Sequence, residues 1–285
     1  MNRYAIALIS LLFCLRGQAD PAPAKPKESS HPLVALESGG LPIILAAPHG
    51  GRDGVLGVPV REGKGVDRFQ PKMDTNTDRL VELLTDAIEK QTGKRPFVVI
   101  ARFHRRFIDA NRAPEDAYES EQAKPVYDAY HQALAAARKE VIERWGSGLL
   151  LDVHGQAAAI NTIFRGTRDG KTTTHLIRLH GREALTGADS LCGQLAKQGF
   201  HVAPAVGSDG KEEFYNGGHT VVTYGSGSGG TLDAIQLELG SHHRSAAQLP
   251  QTAEKMAAAV VLFAKSYLPS KEQNPKAAGE AVGDN

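Results

Sequence analysis

Residues 149–155 read Leu149-Leu150-Leu151-Asp152-Val153-His154-Gly155, an apolar run of strand length that ends in polar side chains and a glycine. Three successive leucines leave neither face of a strand polar, as in a parallel sheet covered by helices on both sides. Asp152 and His154 stand two residues apart and so share a face, which places a carboxylate beside an imidazole as a partner able to orient it. A second stretch repeats the pattern: Leu41-Pro42-Ile43-Ile44-Leu45-Ala46-Ala47 runs into Pro48-His49-Gly50-Gly51. Glycine after each histidine lets the chain turn sharply and leaves room beside the ring for a ligand.

Outward from these strands, apolar runs alternate with helical patterns. Residues 74–91 carry Leu80, Leu83, Leu84, Ala87 and Ile88 on one stripe, with Gly93 as the stop. Residues 97–101 are a continuous apolar strand. Pro125 opens a helix that continues through Val126, Tyr130, Leu134, Ala137, Val141 and Trp145 at 3–4 spacing. Residues 235–239 read as a later strand and 252–267 as a closing helix. The pattern predicts one α/β domain, with a mainly parallel or mixed sheet and helices on both faces. In such sheets ligands bind beyond the carboxyl ends of the strands, so chemistry is sought in the polar residues found there.

The rest of the chain of 285 residues narrows the options. Lys and Arg number 33 against 32 Asp and Glu, a net charge of +1 that excludes an acidic or basic tail protein and gives no electrostatic reason to expect nucleic acid. Two cysteines, Cys14 and Cys192, exclude a disulfide scaffold and a multi-thiolate zinc site, so any metal must be held by imidazole and carboxylate. Residues 1–19 read as a signal peptide: a basic start at Arg3, an apolar run over residues 4–15, and small residues in Gly17-Gln18-Ala19. Phe13 before Cys14 fits a lipid-attachment site badly, and no later run approaches the ~18 apolar residues of a membrane span. A secreted or periplasmic destination follows. Cleavage removes Arg3 and Arg16, leaving 31 positive against 32 negative residues, net −1, and leaves Cys192 without an intramolecular partner. Residues 20–32 read as a disordered linker, 33–270 as the catalytic domain and 271–285 as a disordered tail.

Two strand-end histidines suit a zinc site completed by one carboxylate, with a position left open for water. Asp53, Glu62, Asp74 and Asp78 are all candidates for that carboxylate, and spacing alone does not choose; Asp74 also suits an N-cap. Residues 102–112 hold Arg102, Arg105, Arg106 and Arg112, a basic cluster after a buried strand that reads as a local anion site. Gln236 and Glu238 share one face of a buried strand, so Glu238 requires either a cationic partner or a catalytic role. Gly225, Gly227 and Gly230 have the spacing of a dinucleotide loop but precede a strand rather than a helix, and are discounted. His219, His242 and His243 read as loop or strand-end residues.

Pro48-His49-Gly50-Gly51, Asp74 with Leu80, Arg105 with Asp109-Ala110-Asn111-Arg112, Asp152-Val153-His154 and Gln236-Leu237-Glu238 together resemble the N-formylglutamate amidohydrolase family, which is similar in design to zinc carboxypeptidases and aspartoacylase. The resemblance spans residues 41–243. It implies one zinc ion on His49, Asp74 and His154, Glu238 as general base, and Arg105 near the developing oxyanion. It also implies Asn111 and Arg112 on the substrate carboxylate. The function expected is an exported zinc amidohydrolase acting on an N-acyl amino acid or a short peptide with a free carboxylate. The alternatives are a carboxypeptidase or cell-wall peptide amidase on the same scaffold, and a non-catalytic protein that captures carboxylate or phosphate with the arginine cluster.

Overall fold

β2 (Ile43–Ala47) and β4 (Gly148–Gln156) pair in parallel at the centre of the sheet, and both are buried. The computed structural model describes residues 31–270 and residue 272. The signal peptide, most of the linker and nearly all of the tail read from the sequence lie outside the described residues. β3 (Phe97–Ala101) flanks β2 and β7 (Leu232–Gly240) flanks β4, again in parallel. β1 (Val34–Glu37) joins β3 antiparallel, β5 (Thr162–Gly166) joins β7 antiparallel, and β6 (His201–Ala203) runs parallel to β5. The order is β1-β3-β2-β4-β7-β5-β6, a mixed sheet with a parallel centre.

The helices are α1 (Thr77–Thr92), α2 (Pro114–Ala117), α3 (Lys124–Trp145), α4 (Thr174–His180), α5 (Glu183–Thr186), α6 (Leu191–Lys197), α7 (His219–Tyr224) and α8 (Leu249–Tyr267). Period-two alternation sorts the strand side chains into two layers. Ile43, Leu45, Leu149, Leu151, Ile235 and Leu237 pack with α1 and α8 on one face. Ile44, Ala46, Leu150, Leu232 and Ala234 pack with α3 on the other. Each fully buried leucine or isoleucine contributes roughly 1.5–3 kcal/mol, so these layers supply the rigid frame.

The α3 face changes character part-way along two strands. Asp152 and His154 follow Leu150 on that face of β4, while Gln236 and Glu238 follow Ala234 on that face of β7. The register sets Asp152 beside Gln236 and His154 beside Glu238. Apolar packing near the strand starts thus gives way to four polar side chains near the strand ends.

Some boundaries differ from the sequence reading. α1 begins at Thr77, not at residue 74, because its apolar stripe starts only at Leu80 and the preceding residues are used otherwise. The Asp74 N–H donates to the His49 carbonyl at 3.0 Å, and Asn76 adopts a left-handed conformation with φ 66° before the helix starts. Asp74 is therefore not the N-cap. Gly50 and Gly51 permit this approach: a methyl on Gly50 would overlap the Asp78 backbone, and one on Gly51 the Arg102 carbonyl. No helix among the described residues is long and apolar enough to cross a membrane.

Candidate metal centre

His49 leaves the end of β2, His154 stands near the end of β4, and Asp74 sits on the link into α1. All three are buried, and their ligand atoms lie within 4.8 Å of one another. The Nδ1 atoms of the two histidines are 3.1 Å apart, and Asp74 Oδ2 lies 3.3 Å from that of His49 and 3.4 Å from that of His154. The opposite ring nitrogens are committed elsewhere. His49 Nε2 donates to Asp109 Oδ1 at 2.6 Å, and His154 Nε2 donates to Asp152 Oδ2 at 2.8 Å.

A neutral imidazole has a single N–H, so both Nδ1 atoms turn lone pairs toward each other and toward a carboxylate oxygen. Three acceptors this close repel unless a positive charge, a proton or a metal ion, sits between them. Carboxylates behind both imidazoles are the usual support for metal-ligating histidines. On this chemistry the three residues fit a metal ion. The local field agrees. Burial alone would raise the Asp74 carboxyl, but the His154 and His49 imidazoles outweigh it and hold the group well below the usual carboxylate range. Burial would likewise lower His154, yet Asp152, Asp74 and Glu238 hold it well above its ordinary value, so without a metal ion a proton on this ring supplies the positive charge that a bound metal would replace.

Of the four carboxylates proposed as third ligand, Asp74 joins the histidines. Asp53 and Glu62 are exposed, and Glu62 pairs with Lys64 instead. Asp78 stands in the first turn of α1, outside the triad. His219 opens α7, His242 is exposed, and His243 Nε2 donates to the Asn161 carbonyl, so none of them belongs to the cluster.

The basic stretch does not form one anion site. Arg102 pairs with Glu82 at 2.8 Å, and Arg106 stacks over the Phe107 ring. Arg112 donates from both terminal nitrogens to the carbonyls of Asp67 and Arg68, each at 3.0 Å, and does not line the cavity. Arg105 grips Asp109 Oδ2 with Nε at 2.9 Å and Nη2 at 2.8 Å, while its Nη1 lies 3.8 Å from Asp74 Oδ1. Asp109 is thus the hub that fixes both His49 and Arg105, a role the sequence reading missed. The available signal was a lone carboxylate inside a run of arginines, which need a counter-charge once buried. Burial would raise Asp109, but His49 and Arg105 outweigh it and hold it well below the usual range.

Glu238 Oε1 accepts from Gln236 Nε2 at 2.8 Å, and Gln236 Oε1 accepts from the Gly218 N–H at 2.7 Å. Among the described residues no Lys or Arg nitrogen lies within 4.0 Å of the Glu238 carboxylate, so the structural salt bridge weighed from the sequence has no partner. Burial raises Glu238 above its ordinary value, and the attraction of His154 and His49 offsets only part of the rise. The triad, Glu238, Arg105 and Asn111 line one open cavity of about 640 Å³. Lys72, Tyr215 and Arg244 join the same wall. They come from loops without periodic pattern, where spacing carries no signal.

No family model and no curated protein matches the chain. Among solved structures, the N-formylglutamate amidohydrolase from Ralstonia eutropha JMP134 matches with a TM-score of 0.58 at 17% identity, covering 82% of this chain and 98% of that one. The two share a fold. A gene product from Agrobacterium tumefaciens follows at TM-score 0.49 and 15% identity, covering 82% of this chain and 95% of that one. The succinylglutamate desuccinylase from Chromobacterium violaceum gives 0.42 and 14%, covering 87% and 76%. The motif-level resemblance to N-formylglutamate amidohydrolase is therefore met in the architecture.

Proposed function

We propose that the chain is an exported zinc-dependent amidohydrolase that cleaves the amide of an N-acyl amino acid, N-formylglutamate-like, or of a short peptide with a free carboxylate. One observation carries the reading: ligand atoms of His49, Asp74 and His154 converge beside a buried Glu238 that no Lys or Arg neutralises. When bound, zinc supplies Lewis acidity, acidifying water towards a pKa of ~7 and polarising an amide carbonyl.

Glu238 is the general base. Its raised pKa suits a group that takes a proton from the attacking water and returns it to the departing amine. Gln236 fixes one of its oxygens and leaves the other for that exchange. Arg105 has Nε and Nη2 committed to Asp109, so its Nη1 edge meets the negative charge that develops on the carbonyl oxygen. Asp109 and Asp152 hold the two imidazoles in the tautomer that leaves Nδ1 bare. Asn111 lines the cavity and positions the substrate, with Arg112 acting at one remove by pinning the backbone at residues 67 and 68.

The cavity volume lies in the range of pockets that enclose drug-sized ligands, which keeps a carboxypeptidase or cell-wall peptide amidase as the second reading. A non-catalytic anion binder loses support, because Arg102 and Arg106 turn to Glu82 and Phe107 while Arg105 and Arg112 both lie against Asp109. Export rests on the sequence of residues 1–19. Glu238→Gln tests the function: it keeps the volume and can still hydrogen-bond, but cannot accept a proton at neutral pH. Turnover of formyl, acetyl or peptidyl amino acids should fall by on the order of 10²–10⁴ with zinc retained. Wild-type turnover in that variant, or no hydrolysis by the zinc-loaded wild type, would overturn the proposal.

A further inference from the structure

We infer that Arg244 forms an anion subsite in the cavity and takes a substrate carboxylate lying close to the cleaved amide; the assignment of that carboxylate to a substrate rests on the amidohydrolase reading above. Three arginines are buried among the described residues: Arg61, Arg165 and Arg244. Arg165 faces Glu212 at 2.9 Å, and Arg61 has Asp109 at 3.9 Å. Arg244 has no carboxylate within 4.0 Å among the described residues. Its Nε donates to the Leu239 carbonyl at 3.1 Å, its Nη2 to the Gln156 carbonyl at 3.1 Å, and its Nη1 to the carbonyl of Thr75.

A guanidinium carries five N–H groups, so three carbonyls leave two, one on each terminal nitrogen. They also leave the positive charge without a direct counter-ion. A buried cation without a partner is costly, and this one stands on the wall of the cavity that holds the metal triad. The three carbonyls fix its orientation before any ligand arrives, which lowers the ordering cost of binding. Two spare N–H groups on paired nitrogens match the two oxygens of a carboxylate.

Gly155 sets where this cation sits. A Cβ on that residue would overlap the Arg244 guanidinium, so the arginine lies directly against the backbone that follows His154. The N–H of the same glycine donates to Asp74 Oδ2 at 3.1 Å. One residue thus touches a ligand of the metal triad on one side and the unpaired cation on the other. An anion held by Arg244 is therefore near the reacting centre, as the α-carboxylate of an N-acyl amino acid or of a peptide's last residue would be. Arg112, by contrast, spends both terminal nitrogens on backbone carbonyls.

The test is a calorimetric titration of succinate, and of its neutral analogue succinamide, into the full chain as purified and after chelation. The wild type should bind succinate at least tenfold more tightly than succinamide in both states. Arg244→Gln should erase that preference, and Arg244→Lys should reduce it, with zinc content unchanged. Equal affinity for the two compounds in the wild type overturns the inference without needing any variant. So does succinate binding that disappears on chelation, which would place the anion on the metal. Undiminished preference in a folded Arg244 variant does the same. A chain that takes up no zinc and hydrolyses nothing, yet binds succinate through Arg244, would keep the subsite and sink the amidohydrolase reading alone.

Discussion

Asp109→Asn removes the charge on which one metal ligand and the oxyanion arginine both depend. In the wild type Oδ1 accepts from His49 Nε2 at 2.6 Å and from the Asn111 N–H at 3.1 Å, while Oδ2 accepts from Nε and Nη2 of Arg105. An amide has one acceptor end and one donor end, so whichever way it turns, one pair of donors meets an NH₂ group. If the His49 side suffers, the imidazole is free to change tautomer or rotate, and zinc affinity should fall about 10–100-fold, the range for losing such a supporting carboxylate. If the Arg105 side suffers, a half-buried guanidinium loses its two-point partner and keeps only Asp74 at 3.8 Å, at a cost below the about 3–5 kcal/mol of a fully buried broken pair. Competition against a zinc chelator reads the first effect and urea unfolding the second. Asp152→Asn, behind the other imidazole, should give a loss of affinity of the same order. A folded Asp109→Asn chain with wild-type zinc affinity and wild-type stability would refute the view that this carboxylate supports the site.

Arg112→Ala frees the carbonyls of Asp67 and Arg68 and loosens the loop that brings Gln70 and Lys72 to the cavity. Activity should fall equally on substrates with free and with amidated carboxylates, and a loss confined to the former would place Arg112 on the substrate instead. His131 should make the fold acid-sensitive: burial, then the neighbouring His219, pushes it down to about 4, while the unfolded chain takes up its proton near 6.5. Its share of stability is thus whole above pH 6.5 and drains as pH falls towards 4, the loss amounting to about 2 kcal/mol at pH 5. Urea midpoints at pH 7 and pH 5 should therefore converge in a His131→Gln variant relative to wild type. An unchanged pH difference would show that the imidazole is protonated in the fold.

The layered architecture was readable because buried parallel strands advertise themselves. Leu149-Leu150-Leu151 and Ile43-Ile44-Leu45 are apolar on both faces, and each ends in the histidine that marks the carboxyl edge of the sheet. Sharing of a face by Asp152 and His154, and by Gln236 and Glu238, followed from period-two alternation and holds in the register. The same logic failed where contacts are long-range. Spacing within 102–112 cannot show that Arg105 and His49 meet on Asp109, because that depends on a loop crossing from β3 to the end of β2. Nor does anything local to Arg244 announce three carbonyls drawn from residues 75, 156 and 239. The short elements, β1, β5, β6 and the helices between residues 174 and 197, escaped because they are too brief to show a period.

Zinc content per chain, measured by elemental analysis on the purified wild type and on His49→Ala and His154→Ala, decides whether the three residues hold a metal. If His49, Asp74 and His154 form one centre, the wild type should carry close to one ion per chain. Either substitution should strip it, since loss of one ligand leaves too few donors for tight binding. Wild-type zinc occupancy in both variants, or a wild type that takes up no zinc when it is supplied, would show that these residues are not a zinc site.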